Sequence, residues 1–232
     1  MNRRRELQIY YGGTFDPVHN GHVAIACAAR DACDTDVRVL PAADPPHRAP
    51  PGANAADRAA MVAMAIAGVP RLLLDLRELE RAGPSWTVDT LKALRATVGA
   101  DVSIAWLVGA DSLVGLPTWK SWGDLLTLTH FIVADRSGSL LDRGLAPELA
   151  AALEGRWTDD AGSLHKSPHG QVLRLHQPLQ LHSATDLRLR IAGGQPWREL
   201  VAPAVADYIE EHHLYGVDDA PAIIGPRPGA SL

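Results

Sequence analysis

Hydrophobic and polar positions follow two alternating patterns along the first 135 residues of the chain. Short, nearly continuous apolar runs predict strands buried on both faces, at 7–11, 36–42, 71–79, 101–113 and 130–136. Between them, apolar residues recur at helical spacing, which predicts helices at 21–32, from 54 or 55 to 68, within 83–99 and within 117–129. Regular alternation of strand and helix is typical of right-handed βαβ units.

We therefore expect an α/β protein with a Rossmann-like, doubly wound parallel sheet and helices on both faces. The pattern weakens over 137–167, where only a short helix near 145–155 is indicated. One or two strands follow within 170–185, and closing helices are predicted at 186–194 and 202–216. This makes 1–216 a single domain. The segment 217–232 is rich in proline and glycine, and we expect it to be a disordered tail.

The composition of the 232-residue chain narrows the classes of function. A net charge of -5 and a pI near 6.0 argue against general binding to nucleic acids or acidic membranes, but they allow a local basic pocket. No apolar stretch is long enough to span a bilayer and the N-terminus does not resemble a signal peptide, so we expect a cytoplasmic protein. Two cysteines are too few for a zinc site, and their spacing argues against a disulfide within one helix.

The densest polar chemistry follows the first predicted strand, in the segment YYGGTFDPVHNGH at 10–22. In a parallel α/β sheet, ligands bind at the carboxyl ends of strands, where the strand order reverses. Gly12 and Gly13 allow a sharp bend and close approach of a ligand, and Gly21 removes a side chain from the helix start. His19 and His22 flank that helix start, whose N–H groups and dipole attract phosphate. We interpret the turn as a phosphate site.

Capping and packing of the helix is the alternative role for these histidines, and it would suit a single one better. The convergence of two histidines, three glycines and Thr14 on one turn favours a phosphate-binding role for this turn. The chain lacks G-x-x-x-x-G-K-[ST], and no G-x-G-x-x-G follows the first strand, which excludes a P-loop and the dinucleotide fingerprint. Asp16 faces no evident cation in the sequence, and we expect it to fix the turn through backbone hydrogen bonds.

A second polar cluster, HSATDLR at 182–188, precedes a closing helix. Ser183 and Thr185 can cap a helix start while offering hydroxyls to an anion, and Arg188 can form a charge-assisted hydrogen bond with phosphate. Taken alone, the cluster is slightly better explained as an ordinary capped helix with a surface arginine.

These motifs together resemble those of a known family. GGTFDPVHNGH at 12–22 resembles the H-x-G-H signature of the nucleotidyltransferase superfamily, and SATDLR at 183–188 resembles its late S-[ST]-[ST]-x-x-R motif. With PPHR at 45–48, VGADSL at 108–113 and PTW at 117–119, the chain resembles the bacterial nicotinate-mononucleotide adenylyltransferases. The resemblance implies transfer of AMP from ATP to nicotinate mononucleotide, giving nicotinate adenine dinucleotide (deamido-NAD) and pyrophosphate in NAD biosynthesis.

The resemblance also implies roles for individual residues. His19, His22 and Arg188 would be catalytic through their contacts with the ATP phosphates. The residues that it places around ATP are Gly12, Gly13, Thr14, Phe15, His19, His22, Gly109, Asp111, Ser183, Thr185 and Arg188. No metal site made by the protein is implied, and Mg²⁺ would be bound through the phosphates of ATP.

Residues in the middle of the chain would bind the acceptor, nicotinate mononucleotide. Trp119 can stack on the pyridine ring, and Thr87 can donate to the carboxylate together with backbone N–H groups near Trp119 and Lys120. Arg48 and His47 offer charge to the phosphate of the mononucleotide. A core tryptophan is the alternative for Trp119, and a helix N-cap is a further role for Thr87.

Three positions depart from the usual family pattern. His182 stands where the family has an aliphatic residue, Ala184 where it has a hydroxyl residue and Trp86 where it has a tyrosine.

Other functions stay open as well. An enzyme of the same superfamily could use nicotinamide mononucleotide or phosphopantetheine as acceptor, and a non-catalytic regulator would only bind ATP. The sequence leaves the oligomeric state undecided, with a homo-oligomer allowed.

Overall fold

The computed structural model describes residues 5–45, 51–135, 141, 144–176 and 183–219. Its strands are β1 (Leu7–Gly13), β2 (Val37–Pro41), β3 (Leu72–Leu74), β4 (Ser103–Gly109), β5 (His130–Asp135), β6 (Trp157–Thr158) and β7 (Val172–His176). They form one sheet in the order β3-β2-β1-β4-β5-β7-β6, and every neighbouring pair is parallel.

Helices cover both faces of this sheet. They are α1 (Asn20–Cys33), α2 (Ala55–Ile66), α3 (Thr87–Val98), α4 (Ala110–Val114), α5 (Trp122–Leu125), α6 (Pro147–Leu153), α7 (Ala184–Ala192) and α8 (Pro203–Glu211). One apolar core joins the sheet to α1, α2, α7 and α8, and a second core joins it to α3 to α6. Ile9 and Tyr11 of β1 face the first core and Tyr10 faces the second, so both faces are buried. The predicted doubly wound α/β fold is confirmed.

The strand order reverses at β1, in the middle of the sheet. β1 pairs with β2 on one side and with β4 on the other, and Tyr11 lies opposite both Val39 and Leu107. The connections that follow β1 and β4 leave these strands in opposite directions, which opens a crevice beyond their carboxyl ends. The residues that follow these two strands are therefore placed to bind a ligand.

Several elements differ from the sequence-based predictions. The strand predicted at 71–79 ends after Leu74, because a turn follows in which the N–H groups of Leu79 and Glu80 donate to the carbonyl of Leu76 (2.8 and 3.1 Å). The strand predicted at 101–113 ends where α4 begins. The helix predicted within 117–129 is broken into a 3-10 turn at Leu116–Thr118 and the short α5. β6 has two residues, too few for a pattern to predict.

The chain after α8 continues into a 3-10 segment at Leu214–Asp219, where Val217 packs against the first core. Disorder of the tail stays a prediction for 220–232, which lie outside the described residues.

Cys27 and Cys33 are free thiols, and burial raises the pKa of Cys33 to about 11. In the part of the chain that the structure describes, no helix combines the length and hydrophobicity needed to cross a bilayer.

His130 is fully buried at the start of β5, at the opposite end of the sheet from the crevice. Its Nδ1 accepts a hydrogen bond from the N–H of Gln171 (2.9 Å), so its Nε2 donates to the carbonyl of Ser167 (2.9 Å). Burial lowers the pKa of His130 from 6.5 to about 4. The folded protein therefore holds this imidazole neutral in mild acid.

We predict that His130 makes the protein less stable as the pH falls. Between pH 6.5 and about 4, the unfolded chain binds a proton at His130 that the folded protein does not. The free energy of unfolding should therefore decrease through this range, by on the order of 3 kcal/mol in total. Urea denaturation at several pH values measures the slope. His130→Gln cannot titrate and should reduce it, whereas equal slopes in the two proteins would contradict the assignment.

Candidate active site

A cleft of about 890 Å³ opens beyond the carboxyl ends of β1 and β4. Every residue that the resemblance places around ATP lines this cleft: Gly12, Gly13, Thr14, Phe15, His19, His22, Gly109, Asp111, Ser183, Thr185 and Arg188. The structure thus brings the turn after β1, the end of β4 and the start of α7 to one place. The roles of these residues in binding and catalysis stay predictions.

Packing within the protein requires the two glycines that end β1, Gly12 and Gly13. A Cβ on Gly12 would lie 2.2 Å from Cζ2 of Trp106, and one on Gly13 would lie 2.9 Å from the ring of Phe15. Aromatic rings of the protein thus exclude a side chain at both positions, and the expected role of these glycines in ligand approach stays a prediction. Gly109 differs, because a Cβ there would meet no atom within 4 Å. At Gly109 the backbone is open to a ligand in the cleft.

His19 and His22 lie side by side at the start of α1. Their ring centroids are 3.8 Å apart with planes at 32°, and the ring of Phe15 meets His22 at 5.1 Å. The backbone N–H of His19 donates to Nδ1 of His22 (3.2 Å). An amide N–H can only donate, so Nδ1 is the acceptor and the proton of the neutral ring sits on Nε2. His22 therefore caps the helix and also brings an N–H donor to the cleft.

The start of α7 contributes the late motif. Ser183 is the N-cap, as predicted, and its Oγ accepts from the N–H of Asp186 (3.1 Å). Thr185 does not cap the helix, and its Oγ1 lies 3.4 Å from Nη2 of Arg188. Nη1 of Arg188 donates to the carbonyl of Asp16 (2.6 Å), which holds this one-third exposed side chain (34%) against the opening turn. An arginine placed only on the surface would not make this contact.

Asp16 is buried in the opening turn and joins three distant segments. Its Oδ2 accepts from the N–H of Gly52 (2.8 Å), and its Oδ1 accepts from the N–H of Ala53 (3.1 Å) and the hydroxyl of Tyr215 (2.9 Å). Nη1 of Arg188 lies 3.5 Å from Oδ2. The backbone hydrogen bonds expected for Asp16 exist, although they reach another loop. The expectation that it faces no cation was wrong, because Arg188 is that cation.

Arg58, on α2, is fully buried behind the opening turn and was not singled out by the sequence. Its Nη1 donates to the carbonyls of Thr14 and Ala42 (both 2.7 Å), its Nη2 to Ala43 (2.9 Å) and its Nε to Ala53 (3.2 Å). Burial lowers the pKa of Arg58. One guanidinium thus fixes the turn after β1, the loop after β2 and the start of α2 relative to one another.

Thr87 and Trp119, predicted for the acceptor, line the same cleft. Thr87 is the first residue of α3, and the N-cap is Trp86, so the N-cap role considered for Thr87 was wrong. Trp119 packs against the second core while it lines the cleft, so the core and cleft interpretations both hold. The backbone N–H of Trp119 donates to the carbonyl of Leu116 (2.9 Å), and is therefore already used within the protein.

One of the remaining predicted residues, Lys120, is described by the structure and is not brought to the cleft. Its Nζ instead pairs with Asp89 (3.0 Å) and lies over the ring of Trp86 (5.5 Å). His47 and Arg48 lie outside the described residues. Their contribution to acceptor binding stays a prediction, as does any effect of the equally undescribed position 182.

Glu78 and Ser85 also line the cleft, although the sequence did not point to them. Burial raises the pKa of Glu78, and a hydrogen bond from Oγ1 of Thr90 (2.6 Å) opposes this rise. Oγ of Ser85 accepts from the N–H groups of Ala43 (3.0 Å) and Asp44 (3.3 Å). These bonds tie the loop before α3 to the loop after β2, and so hold two walls of the cleft together.

Comparisons with known proteins agree with this geometry. The sequence model of the cytidylyltransferase-like family matches residues 10–190. A Stenotrophomonas maltophilia protein named "Probable nicotinate-nucleotide adenylyltransferase" is 57% identical over 214 residues, which covers 90% of this chain and 96% of the relative. A relative of the same name from Pseudomonas aeruginosa is 44% identical over 207 residues, covering 88% and 95%. Plasmodium falciparum nicotinic acid mononucleotide adenylyltransferase, solved in complex with NaAD, shares the fold with a TM-score of 0.67 at 16% identity, over 91% of this chain and 98% of that one.

Proposed function

Because this chain belongs to the cytidylyltransferase-like family, and within it to the nicotinate-nucleotide adenylyltransferases, we propose that it transfers AMP from ATP to nicotinate mononucleotide. The products are nicotinate adenine dinucleotide and pyrophosphate, so the enzyme serves NAD biosynthesis. One observation carries the proposal: a single cleft gathers the pair of histidines, Arg188 and the indole of Trp119. Imidazoles and a guanidinium suit a triphosphate, and a flat aromatic ring suits a pyridine.

The reaction is an in-line displacement at the α-phosphorus of ATP. An oxygen of the 5′-phosphate of nicotinate mononucleotide attacks, and a new P–O bond forms. The bond from the α-phosphorus to the bridging oxygen breaks, and pyrophosphate leaves with the electron pair. A phosphate monoester is largely ionised at neutral pH because its second pKa is about 6, so no strong general base is needed. Catalysis consists of positioning and charge stabilisation.

Hydrogen-bond donors that the fold holds in place stabilise the negative charge of the phosphates. His22 presents its Nε2–H, because its Nδ1 is held by the N–H of His19 (3.2 Å) and the ring cannot turn away without losing that bond. Arg188 is anchored by the carbonyl of Asp16 (2.6 Å) and can direct its remaining donors at phosphate oxygens. The start of α1 adds the positive end of its dipole. Such donors need little rearrangement as the reaction proceeds.

Mg²⁺ fits this site as an ion that arrives with ATP. Within the described ranges, no group of three or more His, Cys, Asp or Glu side chains could hold a metal ion. Asp16 is engaged by two backbone N–H groups, a phenol and Arg188, and imidazole and guanidinium donors suit phosphate oxygens. When bound, Mg²⁺ supplies further neutralisation of phosphate charge.

For the acceptor, Trp119 stacks on the pyridine ring and the hydroxyl of Thr87 donates to the carboxylate. The position of both side chains in the lining of the cleft supports these roles. A cytoplasmic location and the absence of a nucleic-acid partner are proposed from the sequence alone.

Pyrophosphate release from ATP, Mg²⁺ and nicotinate mononucleotide tests the function. We expect release well above background, and no release from the folded protein would reject the proposal. Parallel reactions with nicotinamide mononucleotide and phosphopantetheine identify the preferred acceptor. A higher rate with either would reassign it, and ATP binding without turnover on any acceptor would indicate a regulator. A His22→Asn protein, purified in the same way, controls for contaminating activity.

A further inference from the structure

Tyr215 reaches the cleft region from the last described segment of the chain. It adopts a left-handed backbone conformation (φ 59°), which residues other than glycine rarely do. Its hydroxyl donates to Oδ1 of Asp16 (2.9 Å) across 199 residues of sequence. Burial, and then the neighbouring Asp16 carboxylate, raise the pKa of Tyr215, so the phenol keeps its proton and acts as a donor.

The ring of Tyr215 packs where the facing loop carries no side chain. A Cβ on Gly52 would lie 3.1 Å from the Tyr215 ring and 3.5 Å from Cδ of Arg188. The N–H of Gly52 also donates to Oδ2 of Asp16 (2.8 Å). Tyr215, Gly52 and Arg188 therefore surround one buried carboxylate.

We propose that Tyr215 is a positioning residue for ATP, whose hydroxyl shares the charge of Asp16 and so leaves Arg188 available to the phosphates. The inference rests on the proposed function, because that function assigns Arg188 to ATP. In the structure, Nη1 of Arg188 stands 3.5 Å from Oδ2 of Asp16 and donates to the Asp16 carbonyl instead (2.6 Å). The closest contact of the arginine is thus with the carbonyl of Asp16, and its ion pair with the carboxylate is longer.

Removal of the Tyr215 hydroxyl leaves the Asp16 carboxylate with one hydrogen bond fewer. Oδ1 of Asp16 loses the shorter of the two hydrogen bonds that it accepts from Tyr215 (2.9 Å) and Ala53 (3.1 Å). A buried carboxylate that has lost a donor attracts the nearest cation more strongly. Arg188 then moves into a closer ion pair with Asp16 and offers fewer donors to the triphosphate, so the affinity for ATP falls.

Tyr215→Phe tests this role, with Tyr208→Phe as the matched control. Tyr208 donates its hydroxyl to Oδ1 of Asp57 (3.0 Å) and does not line the cleft. Calorimetric titration with a non-hydrolysable ATP analogue should show a Kd raised roughly 3- to 10-fold in Tyr215→Phe, and little change in the control. In steady state, KM for ATP should rise by the same factor. The KM for nicotinate mononucleotide should stay within about twofold.

An unchanged Kd for the analogue in Tyr215→Phe would overturn the proposal, and so would an equal rise in both KM values. The phenylalanine ring keeps the packing against Gly52, so a thermal midpoint close to that of the wild type is also expected. In an Asp16→Asn background, Tyr215→Phe should have little further effect on Kd, and an undiminished effect there would overturn the proposal. Analogue binding needs no turnover. Failure of the wild type to release pyrophosphate would therefore refute the proposed function and still leave this test in force.

Discussion

Replacement of His22 by asparagine should lower kcat by about 100- to 1,000-fold, with a smaller change in KM for ATP. The asparagine Oδ1 can still accept the N–H of His19, which Nδ1 accepts at 3.2 Å in the wild type. Asparagine has no group at the position of Nε2, so the donor to phosphate is lost while the cap of α1 is kept. Initial rates of pyrophosphate release at saturating ATP and nicotinate mononucleotide measure the effect.

Two further variants separate the donor from the cap. His22→Gln places an amide N–H near the position of Nε2 and should keep a larger part of the activity than His22→Asn. His212→Ala, at the exposed end of α8, should match the wild type. A His22→Asn enzyme within about tenfold of the wild-type kcat would reject the assigned role of His22.

Replacement of Arg58 by methionine should lower the free energy of unfolding by about 3 kcal/mol or more. Methionine can fill much of the space, but it leaves four carbonyl oxygens without the donor that they share at 2.7 to 3.2 Å. For a chain of this size, the thermal midpoint should fall by roughly 6–12 °C. Activity should fall as well, since the carbonyl of Thr14 in the opening turn is one of the four. Differential scanning calorimetry and the pyrophosphate assay measure the two effects.

Arg71→Met is the matched control for Arg58. Arg71 is exposed and pairs with Asp34 and Asp36 (2.8 and 2.9 Å), and surface pairs of this kind contribute little to stability. Arg58→Lys keeps the charge, but a single ammonium cannot reach all four carbonyls, so an intermediate loss is expected. If Arg58→Met were as stable as Arg71→Met, the buried hydrogen bonds would not have the importance assigned to them.

The sheet could be predicted from sequence, because strands buried on both faces leave continuous apolar runs. The same signal extended the strand at 71–79 too far. Leu76 and Leu79 continue the apolar pattern, but Asp75 accepts the N–H of Arg77 (3.2 Å) and its guanidinium (2.7 Å), which favours a turn. An apolar run indicates that a segment is buried, whereas local hydrogen bonds of this kind determine where the strand ends.

The cleft was predictable in part, since residues that follow β1 and β4 must lie beyond the ends of adjacent strands. The partners of Asp16 and Arg58 were not, because these bonds join segments that are distant in sequence and leave no periodic pattern. One weak feature of the sequence indicated that Arg58 is buried. It places a charge on the helix face that also buries Met61 and Val62. Tyr215 has no such feature, as an aromatic residue after a terminal helix is most often part of the core.

The hydrogen-bond partners of Asp16 are synthesised at different times, because they lie at different distances along the chain. Gly52 and Ala53 follow Asp16 by 36 and 37 residues, Arg188 by 172 and Tyr215 by 199. During synthesis on the ribosome the N-terminal part emerges first, so the turn and its loop are available long before the last two partners. The contacts of Asp16 are therefore complete only after residue 215 has been synthesised. The region around Tyr215, although it lies outside every recognisable motif, is a poor place to truncate the chain.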